Sequence, residues 1–261
     1  MRKSIFLLGS LMAGMLALAG PCCAEDFGSA TLLEDTKLYF TAPARWDAKH
    51  WMYFGGTMLL IGAAHQADTS VRNHFATGYQ AVPGYKDTHS TRDAIPAAAL
   101  VGGTWLYARI VGDQAGDIEA YSMLEAAGFS AVTTEALKFA GGRQRPNETS
   151  DRDSWRKSGN SFPSLHASAA FAIGTVFAES GGEEYRWIRR IVGYGVASGI
   201  GYTRLHENVH WLSDVVTGAA IGIASARFVI NRREARQNQG DFSLTPMSGG
   251  GAMLSYSVQL R

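Results

Sequence analysis

Cysteine is nearly absent from this 261-residue chain: Cys22 and Cys23 are the only two, adjacent and close to the start. A disulfide-stapled scaffold and a zinc–thiolate site are therefore excluded for the body of the chain. An excess of either charge is also lacking. Twenty-four Lys and Arg against 23 Asp and Glu leave a formal charge of +1, so bulk charge holds no nucleic acid. Long apolar runs are scarce. Residues 51–67 and 94–108 carry no Asp, Glu, Lys or Arg, but a spanning helix needs about 20 predominantly apolar residues. The segment 119–138 contains Glu119, Glu125 and Glu135, which cannot face lipid cheaply. With a mean hydropathy of −0.07, a soluble or peripheral bundle is favoured, and a polytopic one is the alternative. Disorder over most of the length is ruled out by the 46% hydrophobic content, which offsets chain entropy. The length allows one large domain or two small ones.

What is there begins with an address. Arg2 and Lys3 precede an apolar run over 5–19, followed by Gly20, Pro21, Cys22, Cys23, Ala24 and then Glu25-Asp26. This is the layout of a secretory signal peptide over 1–24, with cleavage after Ala24; an uncleaved N-terminal membrane anchor is the alternative. Cleavage would remove both cysteines and two positive charges, turning +1 into −1. The mature chain would be exported and compatible with an oxidising compartment such as the periplasm. Residues 25–50 are mixed, and 68–93 are polar with a turn signal at Pro83-Gly84. Segments 119–138, 164–179, 188–202 and 211–230 show small and apolar residues at helical spacing, and 146–161 reads as a loop. After a basic stretch at 231–240, residues 242–245 and 254–260 alternate apolar with polar around Gly249-Gly250-Gly251, a β-hairpin pattern. The expected organisation is a leader (1–24), a helical domain (25–230) and a polar linker with a β-like tail (231–261).

Three clusters carry chemistry. Lys138 lies near a helix end, and Arg145-Pro146 follows Gly141-Gly142, so two cations can converge on one anion. An Arg fork suits phosphoryl oxygens, and Lys supplies a compact charge. Pro163-Ser164-Leu165-His166 looks like a helix start, where Ser caps and free N–H groups meet anions. Arg204, His210 and Asp214 form the third cluster. His210 and Asp214, four apart, share a helix face. Asp214 can fix one ring nitrogen and leave the other free for nucleophilic attack. Each cluster alone has a plainer explanation as surface charge, helix cap or local hydrogen bond.

Together the clusters resemble the three-part signature of the type 2 phosphatidic acid phosphatase superfamily, which includes bacterial acid phosphatases, lipid phosphate phosphatases and vanadium-dependent haloperoxidases. The family pattern is Lys-x6-Arg-Pro, Pro-Ser-Gly-His and Ser-Arg-x5-His-x3-Asp, matched here from Lys138 to Asp214. The sequence departs from it twice, with Leu165 for the usual Gly and Thr203 for the usual Ser. The resemblance implies an all-α helical bundle of the acid phosphatase and haloperoxidase type, here with a short C-terminal β-hairpin-like tail. It implies phosphate removal from a phosphomonoester or pyrophosphate on a small molecule or lipid. His210 would be the nucleophile, Asp214 its orienter and His166 the general acid and then base. Lys138, Arg145, Ser164, Leu165 (through its N–H) and Arg204 would hold the phosphoryl group. No metal and no other cofactor are implied. Lipid head-group transfer and vanadium-dependent haloperoxidase chemistry remain the alternatives, and peripheral or integral membrane contact and oligomeric state stay open.

Other residues read more plainly. His50, His65, His74 and His89 read as structural or exposed, and Arg143 as a surface charge. His206 and Glu207 line the mouth of the site. Trp51, Trp105 and Trp187 read as core or interface aromatics.

Overall fold

A computed structural model describes residues 29–76, 90–237, 241–247 and 251–257. The leader, the Pro83-Gly84 turn and His89 lie outside the described residues. Seven helices are described: α1 (Ser29–Thr41), α2 (Ala48–Ala76), α3 (Ser90–Val111), α4 (Gln114–Gly141), α5 (Leu165–Glu179), α6 (Arg186–His206) and α7 (Leu212–Gln237). A 3₁₀ turn, Ala42–Arg45, joins α1 to α2. β1 (Asp241–Met247) and β2 (Gly251–Ser257) pair antiparallel, with Asp241 opposite Ser257 and Met247 opposite Gly251. The all-α architecture with a hairpin tail therefore agrees with expectation.

The helices run longer than their uncharged cores. α4 is capped by Asp113, whose carboxylate accepts from the Ala115 N–H at 3.0 Å, an N-cap. It ends at Gly142, in the left-handed region at φ 53°, whose N–H closes on the Lys138 carbonyl. Glycine adopts that turn without the steric cost a side chain would incur. α2 extends well past both ends of 51–67, and α7 runs beyond Ile230 to Gln237, because polar and charged residues continue a helix once one face is packed. α1, within the stretch that reads as mixed, docks through Tyr39. This ring stacks on Phe129 at 4.7 Å, and its hydroxyl lies 2.8 Å from Ser225 Oγ. Asp35, 1% exposed, pairs with Arg232 and Arg236.

α5 is the central rod, packed by α4, α6, α7 and part of α3. Its alanines and Ile173 and Val176 meet Met123, Ala126 and Phe129 of α4, Ala197 and Ile200 of α6, and Ala226 and Val229 of α7. Contact with α7 is closest at Gly218 and Gly222. A Cβ there would lie 2.5 Å from the Ser164 carbonyl oxygen and 2.3 Å from that of Ser168. Such spacing of small residues lets two helix backbones touch.

Many large apolar side chains lie exposed among the described residues. Met52, Leu59 and Leu60 of α2, Leu106 and Ile110 of α3, and Ile191 of α6 are exposed. So are Trp51 and Trp187, which are therefore not core residues. By length and composition, α3 over Arg92–Val111 and α7 over Leu212–Arg236 could cross a membrane. The α3 window is 11% buried and faces outward, whereas the α7 window is 56% buried and belongs largely to the core. Glu119 and Glu125 of α4 are turned inward, paired with Arg189 and Arg233.

Candidate active site

Four helix termini meet at one end of the bundle: the C-termini of α4 and α6 and the N-termini of α5 and α7. Backbone bonds tie them together. The Ser164 N–H donates to the Asp214 carbonyl at 3.0 Å, and the His210 N–H donates to the Arg204 carbonyl at 3.3 Å. Ser164 is the buried N-cap of α5, its Oγ accepting from the Ala167 N–H at 3.4 Å. Leu165 opens the helix and His166 lies in its first turn, both half-buried.

His210 sits in the short α6–α7 connection, 4% exposed. Its Nδ1 faces Asp214 Oδ2 at 3.6 Å, leaving Nε2 as the nitrogen for chemistry. Burial pulls its pKa down to about 4; Asp214 opposes the shift, and the charges of Arg145 and Lys138 add to it. The imidazole is therefore neutral at neutral pH. Asp214 is fully buried. Its Oδ2 also accepts from the Ser161 hydroxyl at 2.5 Å and the Trp211 N–H at 2.9 Å, while Oδ1 accepts from Arg143 Nη1 at 2.7 Å.

The cations have different settings. Lys138 is mostly buried, 3.3 Å from Glu135. Burial draws its ammonium below the ordinary range, with the Glu135 carboxylate opposing. Arg145 is half-buried, its Nε donating to Asn160 Oδ1 at 2.9 Å. Arg204 is fully buried, and its Nη2 meets Glu207 Oε2 at 2.7 Å and also Asp93 of α3. Glu207 is thus an ion-pair partner of Arg204. His206 is exposed, beside Tyr202 and Phe75.

Arg143 corrects the expectation of a surface charge: it is fully buried. Its guanidinium lies between the Trp155 and Trp211 rings, 4.7 and 5.0 Å from their centroids. It donates to Asp214, to Ser213 Oγ at 2.8 Å, to Asp68 Oδ2 at 2.7 Å and to the Arg152 carbonyl. The Lys-x6-Arg-Pro spacing selects Arg145, and nothing in the sequence marks Arg143 as buried. His65 also gains partners, with Nδ1 3.1 Å from Asp68 and Nε2 2.8 Å from Asp153. Asp68, Ser161 and Ser213 were not singled out by sequence reasoning. They lie outside the three clusters or beside them, and only folding joins them.

A helical bundle that sets a buried His–Asp pair beside two cations and a capped helix N-terminus is a bundle built to receive an anion. A family model described as the PAP2 superfamily matches residues 119–238, the segment that holds all three clusters. One curated relative, Lipid A 1-phosphatase of Porphyromonas gingivalis, is 42% identical over 88 residues, 34% of this chain and 18% of that protein. The match thus spans less than a fifth of the relative's length. Two solved structures are similar. LpxE of Aquifex aeolicus has a TM-score of 0.39 and 21% identity, with coverage of 61% of this chain and 93% of that one. A transmembrane PAP2-type phosphatidylglycerolphosphate phosphatase from Bacillus subtilis has a TM-score of 0.41 and 18% identity, with coverage of 90% and 98%.

Proposed function

We propose that this chain is a membrane-associated lipid phosphatase working through a phosphohistidine. The observation that carries this reading is the neutral, buried His210, backed by Asp214 and facing the charges of Lys138 and Arg145. His210 Nε2 attacks phosphorus, forming a P–N bond as the P–O bond to the leaving group breaks. His166 gives its proton to the departing oxygen. It then takes a proton from water, whose oxygen attacks phosphorus and releases phosphate and free His210. Asp214 stabilises the imidazolium of the intermediate, and the long 3.6 Å contact shortens as that charge develops. Lys138, Arg145, Arg204, the Ser164 hydroxyl and the Leu165 N–H carry the charge spread over the phosphoryl oxygens.

A lipid substrate is favoured by the exposed apolar surface of α2, α3 and α6, which suits contact with a membrane. The name of the curated relative points the same way. On this reading residues 1–24 are an export signal, 25–230 the phosphatase domain, and the site works in the periplasm. N-terminal sequencing of the exported protein is expected to begin at Glu25.

The test is phosphate release by the full chain in detergent, beside His210→Ala. The panel is a chromogenic phosphomonoester, phosphatidic acid, phosphatidylglycerol phosphate and lipid A carrying a 1-phosphate. Release from a lipid that vanishes in the variant is the expected result. No release from any substrate overturns the reading, and head-group products on addition of an alcohol acceptor would assign transfer instead.

A further inference from the structure

The segment matched to the family begins at residue 119, but the hydrogen-bond network behind the nucleophile does not end there. Resting on the phosphatase reading above, we infer that Asp68 of α2 is a positioning residue for His210, acting through Arg143, Ser213 and Asp214.

Asp68 is completely buried, and both its oxygens are committed. Oδ1 accepts from the Ser213 N–H at 2.8 Å. Oδ2 accepts from the Ser213 hydroxyl at 2.7 Å and from Arg143 Nη2 at 2.7 Å, with His65 Nδ1 beside it at 3.1 Å. Arg143 Nη1 in turn donates to Ser213 Oγ and to Asp214 Oδ1. Asp68, Ser213 and Arg143 therefore form a closed ring, one side of which grips the carboxylate behind His210. The guanidinium is a planar fork with fixed donor directions. With Nη2 on Asp68 and Nε on the Arg152 carbonyl, Nη1 points at Asp214. Asp68 also anchors the first turn of α7 through Ser213, one residue before Asp214. Both routes fix the direction of Asp214 Oδ2, the atom that faces His210 Nδ1. At metal sites, outer-shell partners that orient an inner ligand are worth about 10–100-fold, and a positioning carboxylate here is expected on the same scale.

Charge supports the assignment. Arg143 lies between two buried carboxylates, Asp68 and Asp214, at the same 2.7 Å distance. If Asp68 became neutral, Asp214 would be the one charged carboxylate left on Arg143, and its negative charge would be drawn away from His210.

The experiment compares wild type, Asp68→Asn, Ser213→Ala and the double variant, with kcat referred to folded protein measured by circular dichroism. Asp68→Asn is expected to lower kcat about tenfold with KM within about twofold. The double variant is expected to be no slower than the slower single one, since both residues act through one ring. Wild-type kcat in Asp68→Asn, a raised KM with kcat unchanged, or losses that multiply would each overturn the inference. If Asp68→Asn does not fold, Ser213→Ala decides: a lowered kcat at constant KM supports the inference, and an unchanged kcat overturns it. A wild-type chain that releases no phosphate overturns the phosphatase reading itself, a result distinct from an active wild type matched by its variants.

Discussion

Arg143 and Asp214 form a fully buried ion pair, Nη1 to Oδ1 at 2.7 Å. The carboxylate behind the candidate nucleophile is thus held from the rear by a cation that cannot reach solvent. A buried pair of this kind tolerates the loss of one partner poorly, because the other charge is then stranded.

Arg143→Ala is therefore expected to destabilise the fold by about 3–5 kcal/mol and to remove activity. Arg145→Ala, at a half-buried position, is expected to leave stability nearly unchanged and to raise KM. Chemical denaturation beside steady-state kinetics separates the two arginines.

Asp214→Asn keeps the shape and removes the charge. It is expected to lower kcat by about 10²–10⁴-fold with little change in KM, since it removes an interaction strongest when His210 is cationic. An equal loss in KM and none in kcat would argue for a binding role. Phosphate release at saturating substrate reads the difference.

A pH dependence follows from His210. Its folded pKa of about 4 lies below the ~6.5 of an unfolded chain. The unfolded chain takes up the extra proton between those values, so stability is fully present above about pH 6.5 and falls as pH drops toward 4. The loss from this group is about 3 kcal/mol. Urea midpoints from pH 4 to 8 are expected to show it, and His210→Asn is expected to flatten that window. The acid limb of kcat/KM in the wild type is expected near pH 4.

Helix packing gives a contrast between glycines. Gly222→Val puts a branched side chain where even a Cβ would lie 2.3 Å from the Ser168 carbonyl oxygen, and is expected to unfold the bundle or separate α5 from α7. Gly199→Ala meets nothing within 4 Å and is expected to raise stability by up to ~1 kcal/mol through helix propensity. Melting temperatures of the two variants check both.

The site was legible where its parts lie close in sequence. His210 and Asp214 share a helix-spaced pair, Ser164 stands at a helix start, and Lys138 and Arg145 flank a glycine turn. Helical segments around them were legible from their periodicity. Arg143 was not, because in sequence it is one of two arginines in Gly-Arg-Gln-Arg-Pro, and only the aromatic walls of Trp155 and Trp211 and the two carboxylates make it a core residue. Asp68 left no signal at all, lying 75 residues from its Arg143 partner. The true helix ends were also hidden. α1 and the last turns of α7 carry many charges, and their ion pairs, such as Asp35 with Arg232, form only once the helices meet.

The backbone contact between α5 and α7 has a mechanical meaning. The Ser164 N–H is bonded to the Asp214 carbonyl, and the Ser164 carbonyl rests on Gly218 one turn further along α7. No side chain lies between to yield. The helix end that would meet an anion and the carboxylate that steadies His210 therefore move as one rigid part, and no small tilt of either helix can pull them out of register.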